Sequence, residues 1–549
     1  MKIKPLLKYT NETDFLKDYL MAHGVDESKI EDFIHPEEDI IKDGSLYRNM
    51  EDACLRLDIA VGKKEKIGVV VDSDVDGNTS AAILYSFLRD TLGFAPKYFL
   101  HTGKQHGLRP TPDENLVEQI AKANIDLLFI PDAGSEDASS CKILKQEHNC
   151  DTVVLDHHKF NEPNTWAIVV NNQTGGQEAN KNLSGCGVTA KFIGYYCQSR
   201  GYETPYLNDM VATSLVSDSM DLSNLENRAY VYYGLNDLQN PLLELMSQKM
   251  NRRGNTPDGF SFGLIPPINA LQRSSNQADK ALFFEALTGQ GDLKKAISVA
   301  RKAHRTQMDV VKTMTQDIEP TLDMRHKAII GFTDADNKEY IGLVANKFLG
   351  LYGKPTILLR EADSTHWSGS LRSPIPIRDT INETKLATCQ GHDGACGIIL
   401  KKSNLPKLIK FLDTLPLEVE PDTEVACELK PKQITRKLCS NIESNELMWG
   451  KGLPKPMFYV RSKVNINDIQ IYQKKTTTVK LTIDGVNFML FNAKEEDVKK
   501  LTEHTEYNIE MLVDAKTNEY NGFTYPQANI QKIEVNPIEY KEEDWEDLF

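Results

Sequence analysis

Three aspartates at alternate positions, Asp72, Asp74 and Asp76, follow directly on the apolar run 67–71. A second run, 127–130, leads through Pro131 into Asp132, and a third, 152–155, ends in Asp156-His157-His158. Asp218 closes a further apolar stretch, 212–217. Carboxylates suit hard divalent ions, and added imidazole moves the preference from Mg²⁺ towards Mn²⁺. Two such ions side by side can activate water for in-line attack on phosphorus. Without cations, so much charge gathered in one place would be very costly. Any one of these aspartates could be a helix cap or a turn residue. Capping, however, does not require acids and histidines to recur at successive run ends.

Short runs of Val, Ile and Leu separated by helical stretches read as buried parallel strands. In open α/β sheets the ligand crevice lies beyond the carboxyl ends of the strands. The pattern therefore predicts an α/β unit with its acids and histidines along one edge. Gly77 and Asn78 end the first acidic segment, and residues 79–92 read as a helix after it. The D-x-D-x-D-G spelling at 72–77 resembles the start of an EF-hand, but the later glutamate of that loop is replaced by Ile83, which excludes calcium of that type.

At 549 residues the chain is too long for one core. Forty per cent hydrophobic and 26% charged residues is an ordinary soluble composition, and no stretch approaches the ~20 apolar residues of a membrane span. No apolar segment follows the first lysines as a signal peptide requires. Nine cysteines without a Cys-x-x-Cys pair predict reduced thiols and a cytoplasmic protein. A net charge of −15 argues against a general nucleic-acid coat but leaves room for a local basic groove.

Residues 1–60 read as helical, with a start near Thr10-Asn11-Glu12, and 281–318 as one long helical pattern that connects two units. A second α/β unit follows, with strands at 328–332 and 356–359 and a helix at 342–351. Five strands from residue 457 onward, at 458–464, 476–483, 486–491, 507–513 and 530–535, predict a small barrel of the OB type.

The motifs together resemble the DHH phosphoesterase superfamily, and along nearly the whole chain its RecJ-like single-stranded-DNA exonucleases. VVVDSDVDGNTSAAIL, PDAGS, VVLDHH, SGCGVTAKF and LVSDSMDL stand in the family's order. PPINALQR at 266–273, SGSLRSP, QGHDGACG and GKGLPKPMF resemble later segments. One motif alone would be weak; the ordered set is specific. The resemblance implies a helical segment at 1–60, a DHH catalytic domain at 61–290 with a parallel sheet, and a connecting helix at 291–325. It further implies a second α/β, DHH-associated domain at 326–413, a linker at 414–450, an OB-fold β-barrel at 451–535 and an acidic tail at 536–549.

Carried over by residue, the resemblance implies that Asp72, Asp74, Asp76, Asp132, His157 and Asp218 hold two divalent ions, Mn²⁺ or Mg²⁺, with Asp132 the bridge. Asp132 and Asp76 would act in catalysis beside His158, which would face the scissile phosphate. Arg273, Ser370, Arg372, Ser373, Gly391 and His392 would bind the substrate. Arginine suits phosphate because its fork bonds two oxygens at once. Three positions depart from the family pattern. Val70 stands where many members carry histidine, Pro267 lacks the basic residue of RecJ, and the RecJ arginine expected near His101-Thr102 is absent, with Lys104 or Arg109 as substitutes. These losses touch a preference for the 5′ end more than hydrolysis itself.

The expected protein is a monomeric metal-dependent exonuclease that degrades single-stranded DNA to mononucleotides, 5′ to 3′, in replication, recombination or repair, inside a bacterial cell or for a virus infecting one. The alternatives are a phosphodiesterase on short oligonucleotides or cyclic dinucleotides, and a non-catalytic replication scaffold. The last eleven residues hold six acids against one lysine. Trp545, Leu548 and Phe549, set among them, are candidates for docking on a replication or repair protein.

Overall fold

The computed structural model describes residues 1–103, 105–110, 115–251, 253–334, 338–417 and 423–538. Its first strand, β1 (Ile3–Pro5), lies far from the first sheet in the chain and pairs elsewhere. The first sheet is built from β2 (Ile67–Val71), β3 (Lys97–Leu100), β4 (Leu127–Pro131), β5 (Asp151–Asp156) and β6 (Ile168–Asn171). All its pairings are parallel, in the order β3-β2-β4-β5-β6. Every residue of β2 and β4 is buried. Side chains alternate between two cores, with Val69 and Val71 in one and Val70 in the other, as a strand covered on both faces requires. The order reverses between β2 and β4, so the switch point of the sheet lies between Asp72 and Asp132.

A second, mixed sheet runs β10-β11-β9-β8-β7, from β7 (Ile329–Phe332), β8 (Thr356–Glu361), β9 (His366–Arg372), β10 (Ala387–His392) and β11 (Ala395–Lys401). Then come β12 (Thr423–Val425), which pairs in parallel with β1, and β13 (Cys427–Leu429). The C-terminal sheet joins β13 to β14 (Met457–Asn465), β15 (Ile469–Gln473), β16 (Thr477–Ile483), β17 (Val486–Phe491), β18 (Glu506–Tyr520) and β19 (Phe523–Pro537). Its order is β13-β14-β18-β19-β17-β16-β15. The molecule is thus an α/β protein with a parallel-sheet lobe, a second α/β lobe and a C-terminal sheet unit of the OB type.

Several expected segments differ. Residues 1–60 are not one helical piece. The Phe15–Ala22 helix buries Phe15, Tyr19 and Leu20 in the C-terminal core, whereas the Met50–Lys63 helix buries Met50, Ala53, Cys54 and Leu57 in the core of the first sheet. Each follows its own apolar face. The helix expected over 79–92 begins at Val75, because Asp74 caps it by accepting the Gly77 N–H at 3.0 Å. The pattern at 281–318 splits into Gln277–Leu287 and Leu293–Ile318. Gly289 adopts φ +79°, and Asp292 caps the second helix by accepting the N–H groups of Lys294 and Lys295.

The expected linker, 414–450, is largely folded. It supplies β12, β13 and the Arg436–Glu443 helix, and it buries Ala426, Leu429, Leu438, Ile442 and Trp449 in the C-terminal core. Its Pro and Glu content hid two short strands that bury alternate side chains. The five expected C-terminal strands are joined by β13 and β15, and β18 and β19 each run to 15 residues. The acidic tail with Trp545, Leu548 and Phe549, and Lys104, lie outside the described residues. Among the described residues no helix is long and apolar enough to cross a membrane.

Phe15 is 1% exposed, with its ring 5.4 Å from that of Phe458. Phe15→Ala is expected to destabilise the C-terminal unit by about 3–5 kcal/mol, measured by denaturant titration. An unchanged midpoint would contradict this packing of the N-terminal segment.

Candidate metal centre

The carboxyl ends of β2, β4 and β5 bring the predicted acids together. Asp72 follows β2 and is fully buried. Asp74 starts the Val75–Ser86 helix, and Asp76 lies in its first turn. Asp76 accepts the N–H groups of Gly185 at 2.8 Å and Cys186 at 2.7 Å, and the Ser214 hydroxyl at 2.5 Å. Asp132 follows β4 with φ +65°, a conformation few non-glycine residues adopt. Its N–H donates to the Leu155 carbonyl at 2.8 Å, which fixes the strained turn. A Cβ added at Gly185 would fall 2.3 Å from Asp132 Oδ1 and one at Gly77 2.4 Å from Asp72 Cβ. Gly185 admits the Asp132 carboxylate, and Gly77 admits the backbone and Cβ of Asp72.

His157 Nε2 lies 3.3 Å from Asp132, 3.6 Å from Asp218 and 3.8 Å from Asp76. The apolar stretch that Asp218 closes is a helix. Asp218 caps the carboxyl end of this Asn208–Ser217 helix, which brings it to the cluster from the side. Three donor groups result: Asp76, His157 and Asp218; Asp132, His157 and His158; and Asp72, Asp74 and His106, each with ligand atoms within 4.8 Å of one another.

Charge statics fit cations in this space. Burial, reinforced by Asp76, Asp74 and Asp72, pushes Asp132 well above the usual carboxylate range. Burial and the carboxylates of Asp76 and Asp74 push Asp218 up to about 8. Burial and Asp72 raise Asp74. Asp132 Oδ1 is buried without a hydrogen bond, although such atoms are costly to leave unmet. Burial lowers His157, keeping its ring neutral as a ligand needs. Burial works against a charge on His158 too, but its hydrogen bond from Nδ1 to Asp156 at 2.8 Å and the surrounding carboxylates raise it to about 10. The pairing with Asp156 thus favours the charged imidazolium form of His158. Asp156 also accepts the N–H groups of His157 and His158 at 2.7 and 3.1 Å. The residues suit divalent ions in number, charge and softness.

Across the crevice, Arg273 ends the Ile265–Gln272 helix and Arg372 ends β9. Burial lowers the pKa of both; Asp74 opposes this at Arg273, and Arg273 adds to it at Arg372. The two guanidinium groups and the acidic cluster therefore lie within electrostatic reach of one another. Neither arginine has a salt bridge among the described residues. A Cβ at Gly342 would fall 2.4 Å from Arg372 Nη2 and 3.3 Å from Ser370 Oγ, so Gly342 leaves room for both. Ser373 is buried and donates its N–H to Gly394 at 2.8 Å. Gly391 has φ +122°, and its carbonyl accepts from Arg378. The backbone of His392 ends β10, paired with Ala395. Arg109 is engaged with Glu136 and Asp137.

Sequence reasoning missed His101, His106, Asp156 as the partner of His158, and Arg378. The signal was present for the first two: HTGKQH directly follows β3.

Residues 66–217 match the DHH family, N-terminal domain, and residues 425–532 match the RecJ OB domain. The chain carries a stretch that matches the DHH family and another that matches the RecJ OB domain. It is 27% identical over 580 residues to a putative SPbeta prophage-derived single-strand DNA-specific exonuclease, YorK, of Bacillus subtilis, covering 96% of this chain and 97% of that protein. To the single-stranded-DNA-specific exonuclease RecJ of Bacillus subtilis it is 25% identical over 567 residues, covering 97% of this chain and 70% of that one. The crystal structure of RecJ from Thermus thermophilus in complex with Mn²⁺ shares the fold at a TM-score of 0.76 and 19% identity, over 98% of this chain and 80% of that one. The same protein has been solved with Mg²⁺. The acidic and imidazole cluster has the donor groups that could hold divalent metal ions.

The raised Asp218 and His158 set a pH dependence. A carboxyl that binds its proton more tightly in the folded state than in the unfolded chain costs stability as pH rises towards its folded value; an imidazole raised by partners loses its stabilising effect over the same range. Metal-free protein should lose about 1–2 kcal/mol between pH 6.5 and 8, and stabilisation by Mn²⁺ should grow over that interval. Thermal unfolding with and without Mn²⁺ measures both. Metal-free stability that rises with pH would contradict the assignment.

Proposed function

We propose that this chain is an exonuclease that hydrolyses single-stranded DNA to mononucleotides, 5′ to 3′, with Mn²⁺ or Mg²⁺. The observation that carries this reading is the acidic and imidazole cluster at the switch point of the first sheet, beside the half-buried pair of Arg273 from the first lobe and Arg372 from the second. Asp72, Asp74, Asp76, Asp132, His157 and Asp218 would hold the ions, with Asp132 the bridge. Bound divalent ions supply Lewis-acid polarisation of the phosphodiester and activation of water. Arg273 and Arg372, with Ser370, Ser373 and the backbone at Gly391-His392, grip phosphate oxygens and set the backbone at a fixed distance from the cluster. His158, held by Asp156 through Nδ1, keeps the proton on Nε2 to donate to a phosphate oxygen as charge develops there.

The C-terminal unit supports a long strand rather than a dinucleotide as substrate. It docks beside the loop after Asp218: Leu222 N–H donates to the Lys451 carbonyl at 2.8 Å, and the glycine at 452 lets the backbone approach Asp221. A strand lying on the OB-type sheet would be led to the cluster. Phe458 and Tyr459 are buried and belong to packing, whereas Phe491 is half exposed and open to stacking. The similarity to proteins named single-strand DNA-specific exonucleases supports the same reading. We assign the work to replication, recombination or repair in the cytoplasm, with a monomeric chain and a partner protein recruited through Trp545, Leu548 and Phe549.

Digestion of one single strand labelled at either end, with a labelled dinucleotide in parallel, tests the reading. Mononucleotides released first from the 5′ end are expected. Asp132→Ala should reduce cleavage at least ~10³-fold, the order of a principal electrostatic group, with the circular dichroism spectrum unchanged. Faster turnover of the dinucleotide, or appreciable cleavage by the variant, would overturn it.

A further inference from the structure

Asp72 and Asp74 share no donor group with His157 or His158 and would hold an ion through carboxylates alone. A loop from another strand changes that. After β3 the chain turns back, and His106 Nδ1 meets Asp72 Oδ2, while His101 Nε2 stands 3.5 Å from Asp72 Oδ1. The Gly107 N–H donates to the same Oδ1 at 3.1 Å. Ligand atoms of Asp72, Asp74 and His106 converge within 4.8 Å.

This loop is held on two sides. Lys280 Nζ, on the Gln277–Leu287 helix, donates to the carbonyls of His101 at 2.9 Å and Gly103 at 3.3 Å. Lys280 is 1% exposed. Gln277 reaches the Thr102 hydroxyl at 2.8 Å. On the other side the Gln105 N–H donates to Ser73 Oγ at 2.9 Å, and that hydroxyl donates to the Gln105 carbonyl. Gly107 takes φ +65°, and a Cβ there would fall 2.1 Å from Asp137 Oδ2. A buried lysine and an obligatory glycine thus fix one imidazole against two aspartates.

We infer that His106 is a metal ligand, completing Asp72 and Asp74 as a carboxylate–imidazole site distinct from the one His157 serves. The inference rests on the reading of the cluster as a metal centre and adds to it. Each ion position then owns one imidazole, and the softer donor set at Asp72 selects Mn²⁺ over Mg²⁺. Lys280 is a positioning residue in this arrangement, acting through the loop.

Mn²⁺ titration of the full chain, followed by the electron paramagnetic resonance signal of the free ion and by ¹⁴N modulation of the bound ion, tests this. Wild-type protein should take two ions. His106→Gln should weaken one of them at least tenfold and leave the other, and Mg²⁺ should compete better for the weakened position. In His157→Gln, ¹⁴N modulation should persist, arising from His106; this measurement decides the matter if His106→Gln does not fold. A folded His106→Gln with unchanged Mn²⁺ affinity, or no nitrogen modulation in His157→Gln, would overturn the inference and reduce His106 to a salt-bridge partner of Asp72. Failure of the wild type to bind Mn²⁺ would instead remove the metal centre itself.

Discussion

Asp72, Asp74, Asp76, Asp132 and Asp218 carry their carboxyl groups into one crevice, where burial and mutual repulsion push Asp74, Asp132 and Asp218 above their ordinary range. Charge confined in this way has few stable outcomes: the groups keep their protons, or cations join them. The rest of the lobe is arranged around that constraint. Glycines at 77 and 185 allow Asp72 and Asp132 to approach backbone, Asp132 accepts a strained turn, and helix starts at Asp74 and Ser184 aim N–H groups into the cluster. The Gly185 and Cys186 N–H groups that hold Asp76 come from a helix N-terminus, whose partial positive charge suits an anion.

Imidazoles divide into two kinds. Burial keeps His157 neutral among the carboxylates, whereas Asp156 favours the charged form of His158 at their margin. Adjacent imidazoles are thereby shifted in opposite directions by their surroundings. The second lobe contributes the other half of the electrostatics. Its Arg372, with Arg273 from the first lobe, is drawn into partial burial beside the acids.

Much of this was legible in the residues. Strands β2, β4 and β5 were readable because strands buried on both faces are continuously apolar, and acids at their ends mark the crevice of a parallel sheet. Asp218 was read at the end of an apolar stretch, but it caps a helix: a short apolar run does not declare its own period. His106 escaped notice because its role is set by a loop folding back on Asp72, which no local pattern encodes. The break at Gly289 was visible only as a glycine beside a good capping aspartate, Asp292, and the periodic residues on either side masked it. The segment 414–450 reads as a linker by composition, and its described residues from 423 onward become structure only because β13 finds an edge on β14 and the Arg436–Glu443 helix covers the C-terminal core.

Anomalous diffraction at the manganese edge from crystals grown with Mn²⁺ tests the central claim most directly. Two peaks within about 4 Å of each other, one against Asp72 and Asp74 and one among Asp76, Asp132, His157 and Asp218, are predicted. A crevice without anomalous signal, its carboxyl groups paired to one another through shared protons, would contradict the account.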